Sequence, residues 1–366
     1  MRVILSVTIA MLVSVALVWV LRPLAMRIGL VDSPGERKRH VGHVPLVGGI
    51  AMFCGFMFAV LVLDLSLDSY RAFFACTALL VIVGILDDFH DLPPWVRFVA
   101  QIVAALIMTL WGGVVVRDLG ALFGLGSVPL GMWAVPFTVF ATVGAINAIN
   151  MLDGVDGLAG GTAWIAFVLL GFVAFSGNLM ADTQVLLILA CVVSAFLGFN
   201  FRFPRRRQAL VFMGDAGSMF LGFALVWFAV SLSQGENRAM SPVTALWILA
   251  LPLIDAVSIF VCRLSGRRPP FGAARDHLHH ILLSIGLGVN GAVGIMVGLA
   301  ATIGALGLLG LYGGVAEHLL FYGFLLLFVI HLWVTASVTS SDEAAGYNRK
   351  INRAQKIKVA PRDVGL

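Results

Sequence analysis

Residues 212–232 read FMGDAGSMFLGFALVWFAVSL, an apolar stretch that contains one carboxylate, Asp215, close to its start. A helix of about 20 residues rises about 30 Å, which is the thickness of a hydrocarbon core. Ionisable groups at membrane depth are unfavourable and usually belong to a functional site. This stretch therefore predicts a membrane-spanning helix with a functional group at one end.

The remainder of the chain is similarly apolar. Of its 366 residues 60% are hydrophobic and 12% are charged, and the mean hydropathy is +1.00, far from the values of a soluble domain. The sequence predicts an all-α polytopic membrane protein with about eleven spans. They lie near residues 3–21, 46–63, 71–86, 96–112, 132–149, 160–176, 184–201, 212–232, 243–262, 291–311 and 318–337.

The first span, Val3 to Leu21, resembles a signal peptide in composition. It is longer than a typical signal core, and Arg22-Pro23 follows it in place of a small-residue cleavage site, so we expect it to be retained. The four cysteines are scattered through apolar spans without a CxxC pair. They indicate free thiols, and neither disulfides nor a cysteine zinc site is expected.

Arginine and lysine are concentrated in alternate connections, and this asymmetry sets the orientation. The poor connections hold Arg2, Arg71, Arg117 and Arg238. The rich ones hold Arg22, Arg27, Arg37, Lys38, Arg39, Arg202, Arg205, Arg206, Arg207, Arg263, Arg267, Arg268, Arg275, Arg349, Lys350, Arg353, Lys356, Lys358 and Arg362. The positive-inside rule places the N-terminus outside and the C-terminus in the cytoplasm.

The net charge of +5 does not indicate nucleic acid as a partner, because it follows this membrane asymmetry. The chain is divided into a transmembrane domain, residues 1–339, and a basic cytoplasmic tail, residues 340–366. The tail has no helical apolar periodicity, which indicates a mobile segment close to anionic headgroups.

Four polar clusters interrupt the apolar chain, and the predicted topology delivers all of them to the cytoplasmic face. They are Asp87-Asp88, the segment 147–156, Asp215 and the segment 276–280. Because charge bias and motif position are independent features, their agreement predicts one shared site. An ion-coupled transporter or lipid flippase, the alternative function, would place charged groups near the midplane and on both sides.

The carboxylate motifs leave local alternatives open. Adjacent Asp87 and Asp88 are suited to sharing a divalent cation, or form a solvated pair at the interface. Asp215 is a metal ligand or a simple helix cap. The third motif has polar groups at every third position and glycines after them, which suits phosphate or nucleotide contact, although a polar helix cap has the same pattern. Its polar members are Asn147, Asn150, Asp153 and Asp156.

The histidine segment has apolar residues at helical spacing, which predicts a helix lying in the membrane interface. His279 and His280 fall off the apolar stripe and are positioned to meet an anionic ligand. Zinc binding is the alternative, disfavoured because cysteine ligands are missing and arginines are near. Asp255, inside the ninth span, is expected to have a structural partner, an arginine or a backbone donor, rather than a catalytic role.

The motifs taken together resemble the polyprenyl-phosphate N-acetylhexosamine-1-phosphate transferase superfamily, and within it the bacterial N-acetylglucosamine branch. In this order they are specific to the superfamily, whereas no single one is. The matching segments are Gly29–Pro34, Arg37–His40, Pro45–Gly49, Asp87-Asp88, Asn147–Asn150, Asp153–Gly157, Phe212–Ser218, Ser241–Trp247 and His277–His280. Leu278 interrupts the histidines, as it does in the N-acetylglucosamine branch.

The resemblance implies transfer of N-acetylglucosamine 1-phosphate from UDP-N-acetylglucosamine to undecaprenyl phosphate in the bacterial inner membrane, with release of UMP. It also implies a requirement for Mg²⁺ or Mn²⁺, and a homodimer. The product would enter O-antigen, common-antigen or related polysaccharide synthesis.

The resemblance also assigns roles to residues. Asp87, Asp88 and Asp215 would be catalytic, and Asp215, Asn150 and Asp88 would hold the metal. Nucleotide binding would fall to Asp153, Asp156, Phe212 and Asn147. The phosphate and sugar would be bound by His277, His279, His280, Arg275 and Lys38. The role of Asp276 is left open.

Overall fold

The structure is a computed structural model. It describes residues 1–32, 42–63, 65–203, 206, 208–266 and 277–359, with the side chains of all of these except 67 and 339–359. Within those ranges the chain forms thirteen α-helices: α1 (Arg2–Ile28), α2 (Gly48–Val60), α3 (Arg71–His90), α4 (Pro94–Leu110), α5 (Ala134–Leu152), α6 (Leu158–Ser176), α7 (Met180–Asn200), α8 (Gly214–Ser231), α9 (Pro242–Ile248), α10 (Ala250–Ser265), α11 (Leu278–Ser284), α12 (Val289–Tyr312) and α13 (Glu317–Val359).

Eight segments of the described chain are long and apolar enough to cross a membrane, and they contain α1, α3, α5, α6, α7, α8, α12 and the first part of α13. Helices α9 and α10 meet the same criterion together and bend by 82° where they join, which makes a ninth candidate. The all-α polytopic class is thereby confirmed.

The remaining two predicted spans, 46–63 and 96–112, contain the shorter apolar helices α2 and α4, of 13 and 17 residues. At about 1.5 Å per residue, α2 rises about 20 Å, less than a hydrocarbon core. The apolar stretch is longer than the helix because Leu46, Val47 and Leu61 lie just outside it. The count of eleven spans therefore remains a prediction.

The C-terminal helix is longer than the sequence pattern indicated. Helix α13 continues from the predicted last span through Val359, although residues 340–359 lack apolar periodicity. A helix needs only its own backbone hydrogen bonds and residues of good propensity, and this segment contains three Ala, three Lys and two Arg residues. The boundary between domain and tail at residue 340 remains a prediction.

Helix α8 lies at the centre of the bundle, and all its residues from Ala216 to Val230 are buried. Its first turn packs against α2 and α3 at backbone distance. A Cβ atom added to Gly49 would lie 2.3 Å from the backbone nitrogen of Gly217, and one added to Gly84 would lie 2.4 Å from the Cα atom of Ala216. These contacts fix the start of α8 relative to both neighbours.

Two short strands lie beside this turn. Strands β1 (Val31–Asp32) and β2 (Val44–Pro45) pair antiparallel, with Val31 opposite Pro45. The backbone then continues the pairing towards α8: Phe212 N donates to Pro45 O at 2.9 Å, and Gly48 N donates to Phe212 O at 2.9 Å. The segments Pro45–Gly49 and Phe212–Ser218, far apart in sequence, are therefore adjacent.

Candidate functional site

Asp88, at the end of α3, caps the N-terminus of α8 from outside that helix. Its Oδ1 accepts the backbone N–H of Asp215 at 2.8 Å, and its Oδ2 faces the N–H of Ala216 at 3.4 Å. The positive end of a helix dipole stabilises a carboxylate in this position. Gly214 has φ +68°, and a Cβ there would lie 2.3 Å from Asp88 Oδ2, so the turn needs a glycine. The capping residue is thus Asp88, and the side chain of Asp215 is left for other contacts.

Arg97, near the start of α4, joins two of the predicted catalytic carboxylates. Its Nη1 lies 3.1 Å from Asp87 Oδ2 and 3.2 Å from Asp215 Oδ1. Asp87 is 6% exposed and also accepts the N–H of Leu92 at 2.8 Å. Arg97 could not be recognised from the sequence, because a single arginine at the start of an apolar span is an ordinary topological signal.

The two asparagines of α5 have different environments. The amide of Asn150 hydrogen bonds to Asp215 Oδ1 and, at 2.9 Å, to Ser218 Oγ. Asn147 hydrogen bonds to Gln101 Oε1 of α4 at 2.6 Å. Asn150 therefore belongs to the carboxylate cluster, whereas Asn147 contacts a helix-packing glutamine that the sequence analysis had not identified.

Asp153 and Asp156 lie in the turn between α5 and α6. Asp156 Oδ2 lies 2.6 Å from Arg202 Nε and accepts the N–H of Ala209 at 3.2 Å, which joins this turn to the segment before α8. Desolvation raises the pKa of Asp153 well above its usual range, and the charges of Asp215 and Asp88 raise it further. Asp153 is therefore an electrostatic neighbour of the carboxylates at the start of α8.

The histidine segment approaches the same turn. His279 is 2% exposed, and a Cβ added to Gly154 would lie 3.3 Å from its Nε2. Burial lowers the pKa of His279 to about 3, and the charges of His280 and His277 contribute, so its imidazole is neutral at ordinary pH. His277 is 6% exposed, and its Nδ1 lies 2.7 Å from Asp255 Oδ2. Of the two partners predicted for Asp255, an arginine or a backbone donor, the described residues show the backbone donor, the N–H of Leu278, and they add His277 as a side-chain partner.

Phe212 is partly buried and is held by its backbone between Pro45 and Gly48. Two further predicted residues, Lys38 and Arg275, lie outside the described residues. The structure thus brings together Asp87, Asp88, Asn150 and Asp215 by direct contacts, and the charges of Asp88 and Asp215 reach Asp153. Phe212 and His279 are joined to this cluster through neighbouring segments. The roles assigned to these residues remain predictions.

The donor set suits a hard divalent cation, since carboxylate and amide oxygens are the ligands that Mg²⁺ and Mn²⁺ prefer. The position of the Arg97 guanidinium between Asp87 and Asp215 shows that these carboxylates accommodate a positive charge. Among the side chains that the structure describes, no three His, Cys, Asp or Glu residues form a preassembled metal-ligand group. The residues fit such an ion by their chemistry, with Asn150 as an additional oxygen donor.

The fold and this cluster define a polytopic helical membrane protein with a carboxylate-rich site at one end of its central helix. Residues 70–233 match the profile of Glycosyl transferase family 4. An undecaprenyl-phosphate alpha-N-acetylglucosaminyl 1-phosphate transferase of Yersinia pestis is 35% identical over 355 residues, which cover 95% of each chain. Proteins with the same name from Haemophilus influenzae and Escherichia coli K12 are 37% and 36% identical, over 93% and 85% of this chain and 96% and 84% of their own lengths.

The chain belongs to glycosyl transferase family 4, and its similarity to these curated relatives extends over most of its length. The resemblance identified from the sequence motifs is therefore confirmed.

Proposed function

We propose that this protein transfers N-acetylglucosamine 1-phosphate from UDP-N-acetylglucosamine to undecaprenyl phosphate, giving undecaprenyl-pyrophosphoryl-N-acetylglucosamine and UMP. The family membership and the names of the relatives support this reaction. The observation that carries it is the convergence of Asp88, Asn150 and Asp215 at the start of α8. Such a cluster suits a divalent cation, the ion that phosphoryl-transfer enzymes use to bring two phosphates together.

In the proposed reaction an oxygen of the lipid phosphate attacks the β-phosphorus of the sugar nucleotide. A new P–O bond forms there, and the bond from that phosphorus to the bridging oxygen breaks, so UMP leaves with this oxygen. A phosphate monoester has a second pKa near 6, so at neutral pH the nucleophile is already largely ionised. A general base therefore adds little, and the site's main task is to hold two anions together.

The chain's own residues would divide this task. Arg97, fixed by Asp87 and Asp215, would place its guanidinium beside the reacting phosphates. Asp215, Asp88 and Asn150 would hold Mg²⁺ or Mn²⁺, which when bound would offset the repulsion between the two substrates and stabilise charge on the departing UMP. A two-step route through a phosphorylated Asp87 or Asp88 is the mechanistic rival, and trapping such a phosphoenzyme would favour it.

Substrate recognition is proposed for the flanking segments. Asp153, Asp156, Phe212 and Asn147 would bind the nucleotide, with the Phe212 ring stacking on uracil. The phosphate and sugar would be bound by His277, His279, His280, Arg275 and Lys38. The closeness of His279 to Gly154 supports this arrangement, because it joins the two sets.

Three further proposals follow from the charge asymmetry and the relatives. The protein would lie in the bacterial inner membrane with its N-terminus outside and its C-terminus and site in the cytoplasm. It would supply the first lipid-linked sugar of an O-antigen, common-antigen or related surface polysaccharide. It would act as a homodimer.

The reaction is tested by UMP release from the purified protein. UDP-N-acetylglucosamine, UDP-N-acetylgalactosamine and UDP-glucose would each be supplied with undecaprenyl phosphate, in Mg²⁺, in Mn²⁺ and in EDTA. We expect UMP release only with the N-acetylglucosamine nucleotide, the lipid phosphate and a divalent cation. Undecaprenol, which lacks the attacking phosphate, is the matched control. Absence of UMP under every condition would overturn the proposal.

A further inference from the structure

One buried carboxylate, Asp255 in α10, contacts two elements that are distant in sequence. It is 1% exposed. Its Oδ2 lies 2.7 Å from His277 Nδ1, and its Oδ1 accepts the N–H of Leu278, at the start of α11, at 3.0 Å. The same Oδ1 lies 3.6 Å from Nε2 of His331, in α13. Asp255 therefore holds the histidine segment to α10 and lies beside His331 of α13 without a hydrogen bond to it.

The His331 ring gives α10 a second contact with α13. Its Nδ1 lies 3.0 Å from the hydroxyl of Ser258, which follows Asp255 by three residues on α10. Asp255 and Ser258 are both buried, and His331 lies in the apolar part of α13. Buried polar groups are unfavourable unless they are paired, so the contact between His331 Nδ1 and Ser258 favours one rotational register of α10 against α13.

The geometry at Asp255 determines which nitrogen of His277 is available. An acceptor 2.7 Å from Nδ1 keeps a proton on that nitrogen, so Nε2 is the nitrogen that remains for a ligand. The orientation of the His277 ring also affects His279, the next histidine of the segment. The rings of His277 and His279 are stacked, with centroids 5.4 Å apart and planes at 11°, and His279 faces Gly154.

We propose that Asp255 is a positioning residue for this transferase, acting through His277, with His331 as its support. This inference rests on the proposed function, in which the histidine segment binds the substrate's phosphate and sugar. Asp255 touches no substrate. It holds Nδ1 protonated and fixes the start of α11, so that Nε2 of His277 and the His279 ring face the site.

The first test is a double-mutant cycle in kcat/KM for UDP-N-acetylglucosamine. We expect Asp255→Leu to lower kcat/KM about 10–100-fold, the range found for residues that orient a ligand-binding histidine. Asp255→Asn, which retains one acceptor for two N–H donors, should recover part of this loss. His331→Leu should cause a smaller loss than Asp255→Leu, because the contact between Asp255 and His277 remains.

The decisive comparison is between Asp255→Leu/His277→Gln and His277→Gln alone. Equal kcat/KM values within about twofold mean that Asp255 acts through His277. The proposal is overturned if the kcat/KM loss of the double variant equals the product of the two single-variant losses. Such a result would mean that Asp255 and His277 act independently. Asp182→Asn is the matched control. It changes a carboxylate of α7 that accepts the Tyr70 hydroxyl at 2.6 Å, and kcat/KM should stay unchanged.

A second test does not depend on activity. Solid-state ¹⁵N NMR of histidine-labelled protein in bilayers reports which ring nitrogen is protonated, and the signal that His277→Gln removes belongs to His277. We expect a protonated Nδ1 in the native protein and loss of that state in Asp255→Leu. An unprotonated Nδ1 in the native protein would overturn the proposal. If the tautomer changes as expected while no sugar nucleotide supports transfer, the proposed function fails and the contact between Asp255 and His277 stands.

Discussion

The two ends of the central helix α8 use charge differently. Beyond its C-terminal end, Arg238 lies 3.7 Å from Asp118 and 3.5 Å from Glu317. Both acids also accept backbone N–H groups of the connection between α4 and α5: Asp118 from Gly120 at 3.0 Å and Glu317 from Ala121 at 2.6 Å. These contacts join loops to the start of α13, so we expect the acids at this end to stabilise the fold.

At the N-terminal end of α8 the carboxylates lie close to one another. Asp87 and Asp215 contact the guanidinium of Arg97, Asp88 accepts the backbone N–H of Asp215, and the charges of Asp215 and Asp88 raise the pKa of Asp153. Like charges at short range destabilise a fold, and such arrangements persist where function requires them. We therefore expect the acids beyond the C-terminal end of α8 to matter for stability, and the acids at its N-terminal end to matter for activity.

The largest effect is expected for Asp215→Asn. Turnover should fall at least about 100-fold, because the variant loses a proposed cation ligand and a charge that orients Arg97. The melting temperature should stay the same or rise, since one of several repelling charges is removed. UMP release and thermal unfolding of the purified protein measure both quantities. Asp68→Asn, an exposed carboxylate near the other end of α3, is the control. Turnover near the native rate would refute the role of Asp215.

Arg97→Gln should reduce both activity and stability. Its loss leaves the buried Asp87 carboxylate without its guanidinium partner, which we expect to lower the free energy of unfolding by about 1–3 kcal/mol. Arg97→Lys should retain part of the activity and part of the stability that Arg97→Gln loses. Arg238→Gln is the matched variant at the opposite end and should affect stability alone. An Arg97→Gln protein more stable than the native one would show that Arg97 does not balance the carboxylates.

Glu317→Ala should lower stability and leave turnover nearly unchanged, the opposite of what is expected for Asp215→Asn. The variant removes the acceptor for Ala121 N–H and a partner of Arg238, so we expect a loss of about 1 kcal/mol in unfolding free energy. Turnover should stay within about twofold of native. Denaturation and UMP release are compared on the same preparation. A large fall in turnover without loss of stability would contradict the division between the two ends.

The smallest effect concerns pH. Because the folded-state pKa of Asp153 is raised, its stabilising contribution is full below the unfolded pKa of about 4 and is lost as pH rises through the folded value. The melting temperature of the native protein, relative to that of Asp153→Asn, should therefore fall as pH increases above about 4. The comparison is made in EDTA, so that no divalent cation screens the carboxylates. A difference that does not vary with pH would show that Asp153 lies in an ordinary environment.

The fold class and the family could be predicted from the sequence, because they depend on composition and on the order of short motifs along the chain. Charge bias and motif position also predicted that the clusters share one face, and Asp87, Asp88, Asn150 and Asp215 do meet at the start of α8. The roles of Arg97 and His331, and the contact of Asp255 with His277, could not be predicted. Their contacts depend on how each helix is rotated, and helices that are apolar on all sides give no periodic signal for that rotation. The limits of α2 and α13 were also missed, since hydropathy does not mark where a helix ends.

The glycine contacts at the first turn of α8 divide the site into a fixed part and a movable part. Since no space for a methyl group separates Gly49 from Gly217 or Gly84 from Ala216, Asp215 has no room to shift towards α2 or α3. Helix α11, in contrast, is only seven residues long and is attached largely through side chains. We therefore expect a substitution at Asp255 to displace the histidine segment while Asp215 keeps its position.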